Sequence, residues 1–150
     1  MHATDTEPGT TSLRPALLED HARLERALDE LANAAEGALP DELIAVWRRF
    51  ETGLRAHLAT EEEHLFPLVV GDPELGEIEA DHAEIRRQLD ELGLAVELHA
   101  VREERIDALV ELLRAHAEHE NAWLYAIADR RLEAAKRRTV LDRLRALARD

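Results

Sequence analysis

Apolar residues recur along this chain at helical spacing. From about Leu13 the positions Leu17, His21, Leu24, Leu28 and Leu31 step by four and three, the period that lays one face of an α-helix against a bundle core. They predict a first helix to about Glu36, with Gly37 as its stop. Pro40 opens a second, whose stripe Leu43, Trp47, Phe50, Leu54, His57, Glu61, His64 holds until Pro67 and the Gly71-Asp72-Pro73 turn. A third, from near Gly76 to about Ala100, carries Ile78, His82, Ile85, Leu89, Leu92 and Val96. A fourth begins near Arg102 and carries Ile106, Leu109, Leu113, His116, Glu120, Trp123 and Ile127. The stretch from about Thr139 to Arg149 has Val140, Leu141, Leu144 and Leu147 on one side and reads as a short fifth helix or cap. Residues 1–12, polar, interrupted by Pro8 and Gly9 and without an apolar period, read as a disordered tail. The expected architecture is all-α: an up-down-up-down four-helix bundle over residues 13–150 with a C-terminal extension.

Each of the four stripes is interrupted by residues that do not belong in a core. A buried histidine or glutamate costs several kcal/mol unless it is hydrogen-bonded, paired or metal-bound. His57 and Glu61 form H-x-x-x-E on the second helix, and His116 and Glu120 repeat it 59 residues later on the fourth. Residues four apart share a helical face, so each pair can address one point, most economically a metal ion. The first and third helices carry one histidine each, His21 and His82. They lie within segments, Asp20–Leu31 and Asp81–Leu92, that match at eight of twelve positions. The two halves are therefore related helix pair to helix pair, the arrangement a two-metal site of pseudo-twofold symmetry needs.

Counting outward from the breaker signals puts all four histidines at one height in the bundle to within about one helical turn, ~5 Å. The single-residue alternatives are a hydrogen-bonded core histidine at His21 or His82 and helix-stabilising pairs at His57/Glu61 and His116/Glu120. The repeat weighs against both.

Composition narrows the chemistry. Six glycines, five prolines and 3% aromatics favour helix throughout. A formal charge of −14, from 33 acidic against 19 basic residues, argues against nucleic acid and anionic lipid as partners. No cysteine is present, so disulfides, thiolate sites and iron–sulfur clusters are excluded and any metal must be held by His and carboxylate. The sequence carries neither a signal peptide nor an 18-residue apolar run, and a cytoplasmic location is expected.

With H…HxxxE…H…HxxxE in order, the chain resembles the hemerythrin-like (HHE cation-binding) family over residues 13 to 132. The resemblance implies a four-helix bundle holding two irons bridged by carboxylates and an oxygen species. His21 and His57 would serve one iron, His82 and His116 the other, and Glu61 and Glu120 would bridge them. Imidazole and carboxylate without thiolate suit iron or manganese and leave zinc and copper open; a two-metal site separates its ions by about 3.5–4 Å. The chain departs from the oxygen-carrying hemerythrins in having Arg86 where they place a second histidine on the third helix, and H-x3-E in place of H-x4-D on the fourth. The missing nitrogen ligand favours peroxide, nitric oxide or oxidase chemistry over reversible oxygen carriage.

The expected function is a non-heme di-iron protein that binds O2, peroxide or NO for sensing, storage or detoxification. The alternatives are a di-iron enzyme with catalase-like, peroxidase-like or oxidase activity, and a metal-free helical interaction module. Further candidates surround the six main residues. His64, on the same face as His57, is expected to line the pocket; His99 to sit at a helix end; His119 and His2 to be solvated or idle. Glu25, four after His21, is an outside candidate for the site. Phe66 and Tyr125, each nine residues after a motif histidine, are expected to be core aromatics near the helix ends, with Tyr125 also a minor candidate for a ligand or radical-quenching role. Glu62 and Glu118 are expected to face solvent or a neighbour.

Overall fold

A computed structural model describes residues 12–37 and 40–149. The expected tail, with His2, lies outside the described residues except for Ser12. The helices are α1 (Arg14–Gly37), α2 (Pro40–His64), α3 (Pro73–Glu97), α4 (Glu103–Ala122), α5 (Leu124–Arg131) and α6 (Ala134–Arg149), and a 3-10 turn, Phe66–Val69, follows α2. No strand occurs among the described residues. Each of α1 to α4 packs on the next and α4 returns to α1, closing a bundle of four.

The breakers act as their chemistry dictates. Pro67 lacks an N–H and disfavours a helical residue before it, so α2 ends at His64. Gly71 takes φ +92°, the left-handed conformation open to glycine, and turns the chain. Asp72 then caps α3, accepting from the Glu74 N–H at 3.0 Å, with Pro73 at the first helical position. α3 closes on His99, whose φ is 55°, the left-handed residue expected just past a helix end.

Two differences from the periodicity stand out. The fourth helix breaks at Trp123, where φ is −122° and ψ is −65°, and resumes as α5. The last helix starts at Ala134, earlier than Thr139, and its Val140, Leu141 and Leu144 are buried against the bundle. The reason is anchoring: the buried Arg137 donates to the carbonyls of Asp129 (3.0 Å) and Leu132 (2.9 Å), joining the end of α5 to α6. Asp129 in turn accepts from the Ser12 hydroxyl and the Leu13 N–H, both at 2.7 Å, capping the start of α1.

The apolar core is in two slabs. One contains Leu13, Leu17, Leu65, Phe66, Ile78 and Leu124 and is closed by α6; the other contains Leu24, Leu28, Phe50, Leu54, Ile85, Leu89 and Leu109. At ~25 cal/mol per Å² of apolar surface removed from water, these slabs supply most of the drive for folding. Between them lies a layer of buried polar groups: His57, Glu61, His82, His116 and Glu120. No helix among the described residues is long and apolar enough to cross a membrane.

Candidate metal centre

The expected layer forms, and all six residues meet in it. Each helix contributes according to its stripe: α1 brings His21, α2 His57 and Glu61, α3 His82, and α4 His116 and Glu120. Within the layer two groups of side chains could hold a metal ion, one of His21, His57, Glu61 and Glu120, the other of Glu61, His82, His116 and Glu120; a third group, Glu74, Glu77 and His119, is partly exposed and lies outside the layer. The histidine pairs are near copies of one another. Ring centroids of His21 and His57 are 4.5 Å apart at 70°, and those of His82 and His116 are 4.8 Å apart at 71°.

Both glutamates span the two groups. Glu61 Oε2 lies 3.1 Å from His57 Nε2, and its Oε1 lies 3.1 Å from His82 Nε2. Glu120 Oε1 lies 3.2 Å from His21 Nε2, while its Oε2 lies 3.3 Å from His82 Nε2 and 3.0 Å from His116 Nε2. Two buried atoms of the second group, Glu61 Oε1 and His116 Nε2, have these ion-pair contacts but no well-aligned hydrogen bond. A cation between them would satisfy both. The donor set, four imidazoles and two carboxylates, fits a divalent or trivalent first-row metal.

Three carboxylates that the stripes did not indicate hold the rear faces of these rings. His57 Nδ1 donates to Asp20 at 2.6 Å, His116 Nδ1 to Asp81 at 3.1 Å, and His82 Nδ1 to Glu62 at 2.9 Å. Fixing Nδ1–H leaves Nε2 aimed at the centre, the usual support of metal-binding histidine. Asp20 and Asp81 immediately precede His21 and His82 in the repeat, and that doubled Asp-His pair was the available signal. Of the two outcomes expected for Glu62, solvent or a neighbour, the neighbour holds: it binds His82 and takes a two-pronged contact from Arg86 (2.6 and 2.7 Å). Arg86, standing where a further histidine was missed, thus orients His82 through Glu62.

Charge follows from this geometry. Burial opposes a charge on His57, yet Glu61 and Asp20 outweigh it and push its pKa up to about 10. Burial likewise opposes charge on His82, and hydrogen bonds to Glu120 and Glu61 raise it to about 10. His116 is raised in the same way by Glu120. Against the desolvation of its own carboxylate, Glu120 is held well below its ordinary range by hydrogen bonds from His116, His21 and His82. In the metal-free protein, protons on imidazole supply the positive charge that the buried carboxylates demand.

The other candidates separate cleanly. Tyr125 is not merely a core aromatic: its fully buried hydroxyl donates to Glu61 Oε2 at 2.5 Å and stands 2.6 Å from His21 Nε2. Burial, and then the charges of Glu120 and Glu61, keep this phenol protonated to well above its ordinary range. Phe66 lies against His82, with ring centroids 5.0 Å apart. His64 does not line the centre; seven residues carry it about 10 Å along α2 from His57, and its Nε2 is 3.5 Å from Arg143 and 3.8 Å from Glu63. Glu25 pairs with Arg114. His119 lies off the layer, 2.7 Å from Glu74.

A family model, the hemerythrin HHE cation-binding domain, matches residues 13–128. The chain belongs to this family. No curated protein and no solved structure matches it. The HHE match covers α1 to α4 and most of α5, so it spans every residue of the polar layer and Tyr125.

Proposed function

We propose that this HHE protein is a non-heme di-iron protein that binds O2, peroxide or NO in sensing, storage or detoxification. The observation that carries the reading is the division of each glutamate: Glu61 and Glu120 each offer one oxygen toward the His21/His57 pair and the other toward His82/His116. Bridging carboxylates of this kind suit two metals sharing one site. His21, His57, Glu61 and Glu120 would hold one iron, and Glu61, His82, His116 and Glu120 the other. Iron would supply the redox chemistry and the open coordination positions that a small ligand needs.

The chain supports such a ligand in two ways. A cleft of about 290 Å³ between α1 and α4, with an apolar wall of Leu24, Leu28, Val110 and Leu113 and the charged side chains of Glu25, Arg114 and Glu118 also lining it, reaches the layer at His21. Its apolar part suits a small neutral molecule better than an ion. The apolar slabs above and below the layer exclude bulk water and lower the local dielectric. Iron analysis of untagged protein after anaerobic ferrous loading tests the proposal. Two irons per chain and an oxo-to-iron charge-transfer band on aeration are expected; fewer than about one iron per chain, with no such band, overturns it.

A second reading, peroxide turnover, is favoured by Arg86. Its guanidinium is committed to Glu62, so no further imidazole completes the His82/His116 side. Peroxide consumption no faster than that of free iron, or unchanged in His116→Ala, removes this reading.

A further inference from the structure

We infer that Tyr125 is a fifth protein ligand to the cation held by His21 and His57, an inference that rests on the di-metal reading above. Its hydroxyl oxygen is 2.5 Å from Glu61 Oε2, 2.6 Å from His21 Nε2, 3.1 Å from Glu120 Oε1 and 3.4 Å from His57 Nε2. A phenol donates one proton, to one of Glu61 and Glu120, and its oxygen also accepts, from an imidazole N–H of His21 or His57, so hydrogen bonding alone leaves one carboxylate contact without a proton. Four neighbours are accounted for differently. Ligands about 2.1 Å from a common ion and at right angles to one another lie ~3 Å apart. The phenolic oxygen stands at such a distance from one atom of every residue in the group, as one more vertex of the same coordination shell.

The backbone is shaped to bring the ring there. Glu120 and Tyr125 are five residues apart, which in an unbroken helix turns their side chains about 140° from each other. The break at Trp123 interrupts that rotation, and both side chains address one point. Local departures from α-helical geometry of this kind cluster at functional sites.

The internal repeat supplies the contrast. Phe66 follows His57 by nine residues as Tyr125 follows His116, and each ring lies at the other pair from its own motif: Tyr125 at His21, Phe66 at His82. One side of the pseudo-twofold therefore carries an oxygen and the other only a phenyl ring. Two metals held here would be unequal, with one protein ligand fewer on the His82/His116 side. Coordination breaks the phenolic O–H, forms an O–metal bond and releases one proton to solvent.

Tyr125 is the single tyrosine of the chain, so a phenolate signal has one origin. Protein loaded with ferrous iron and aerated should show a phenolate-to-iron(III) charge-transfer band in the visible and, on excitation within it, tyrosinate ring modes in resonance Raman. Ring-deuterated tyrosine should shift those modes in the wild-type chain, with no variant needed, and Tyr125→Phe should abolish them while retaining two irons. Wild-type protein holding two irons without tyrosinate modes overturns the inference and leaves the di-iron reading standing. Protein that takes up no iron overturns both.

Discussion

Asp20 on α1 accepts a 2.6 Å hydrogen bond from Nδ1 of His57 on α2, and the buried carboxylate is itself held by Arg23 at 2.9 Å. The contact fixes the tautomer and the heading of a ring that is wholly buried. Asp81 repeats it on His116, one half of the chain later.

Removing that contact should weaken metal binding without emptying the layer of its ligands. Asp20→Asn is expected to lower affinity at the His21/His57 side by about 10- to 100-fold, the usual effect of losing a carboxylate behind a metal-bound histidine. Competition with a chelator of known affinity measures it. Unchanged affinity would deny Asp20 this role.

Glu61→Ala or Glu120→Ala should lose both metals together, because each carboxylate faces both histidine pairs. Metal content per folded chain distinguishes this from two independent sites, for which one ion would remain.

Glu62 and Glu118 differ in what they touch. Glu118 is exposed, and Glu118→Ala should leave metal content at the wild-type level. Glu62→Ala frees His82 Nδ1 and Arg86, and should reduce affinity at the His82/His116 side by about tenfold or more. Equal affinity in the two variants contradicts the orienting contact.

The metal-free protein should lose stability as pH rises. His57 and His82 titrate near 10 in the fold against 6.5 as free groups, so the stability they contribute is fully present below pH 6.5 and is lost as pH climbs through about 10. A cation must displace these protons, so apparent metal affinity should rise over the same window. Urea midpoints of chelated protein at pH 6.5, 8 and 9.5 check the first part; a flat or rising series contradicts it.

Metal should also stabilise the fold by mass action, since all four bundle helices contribute to the layer. At free metal 100 times the dissociation constant the gain is ~2.7 kcal/mol. Chelation that leaves the thermal midpoint unchanged would favour the metal-free interaction module.

The sequence by itself determined the four bundle helices as far as Trp123, their antiparallel stacking and the meeting of His21, His57, Glu61, His82, His116 and Glu120 in one layer. Those features are local: a period near 3.6 names the inward face, and distance from each turn names the height. What only the tertiary structure decided lies at the contacts between helices. Asp20, Asp81 and Glu62 sit one position from a stripe residue, about 100° around the helix, and so face a neighbouring helix; whether each meets a histidine or water depends on how the helices are rotated against one another. Arg86 acquires its role through Glu62, and nothing in the spacing of either residue announces the pair. Tyr125 enters the centre because α4 breaks at Trp123, a departure from regular dihedrals that a periodic pattern averages away.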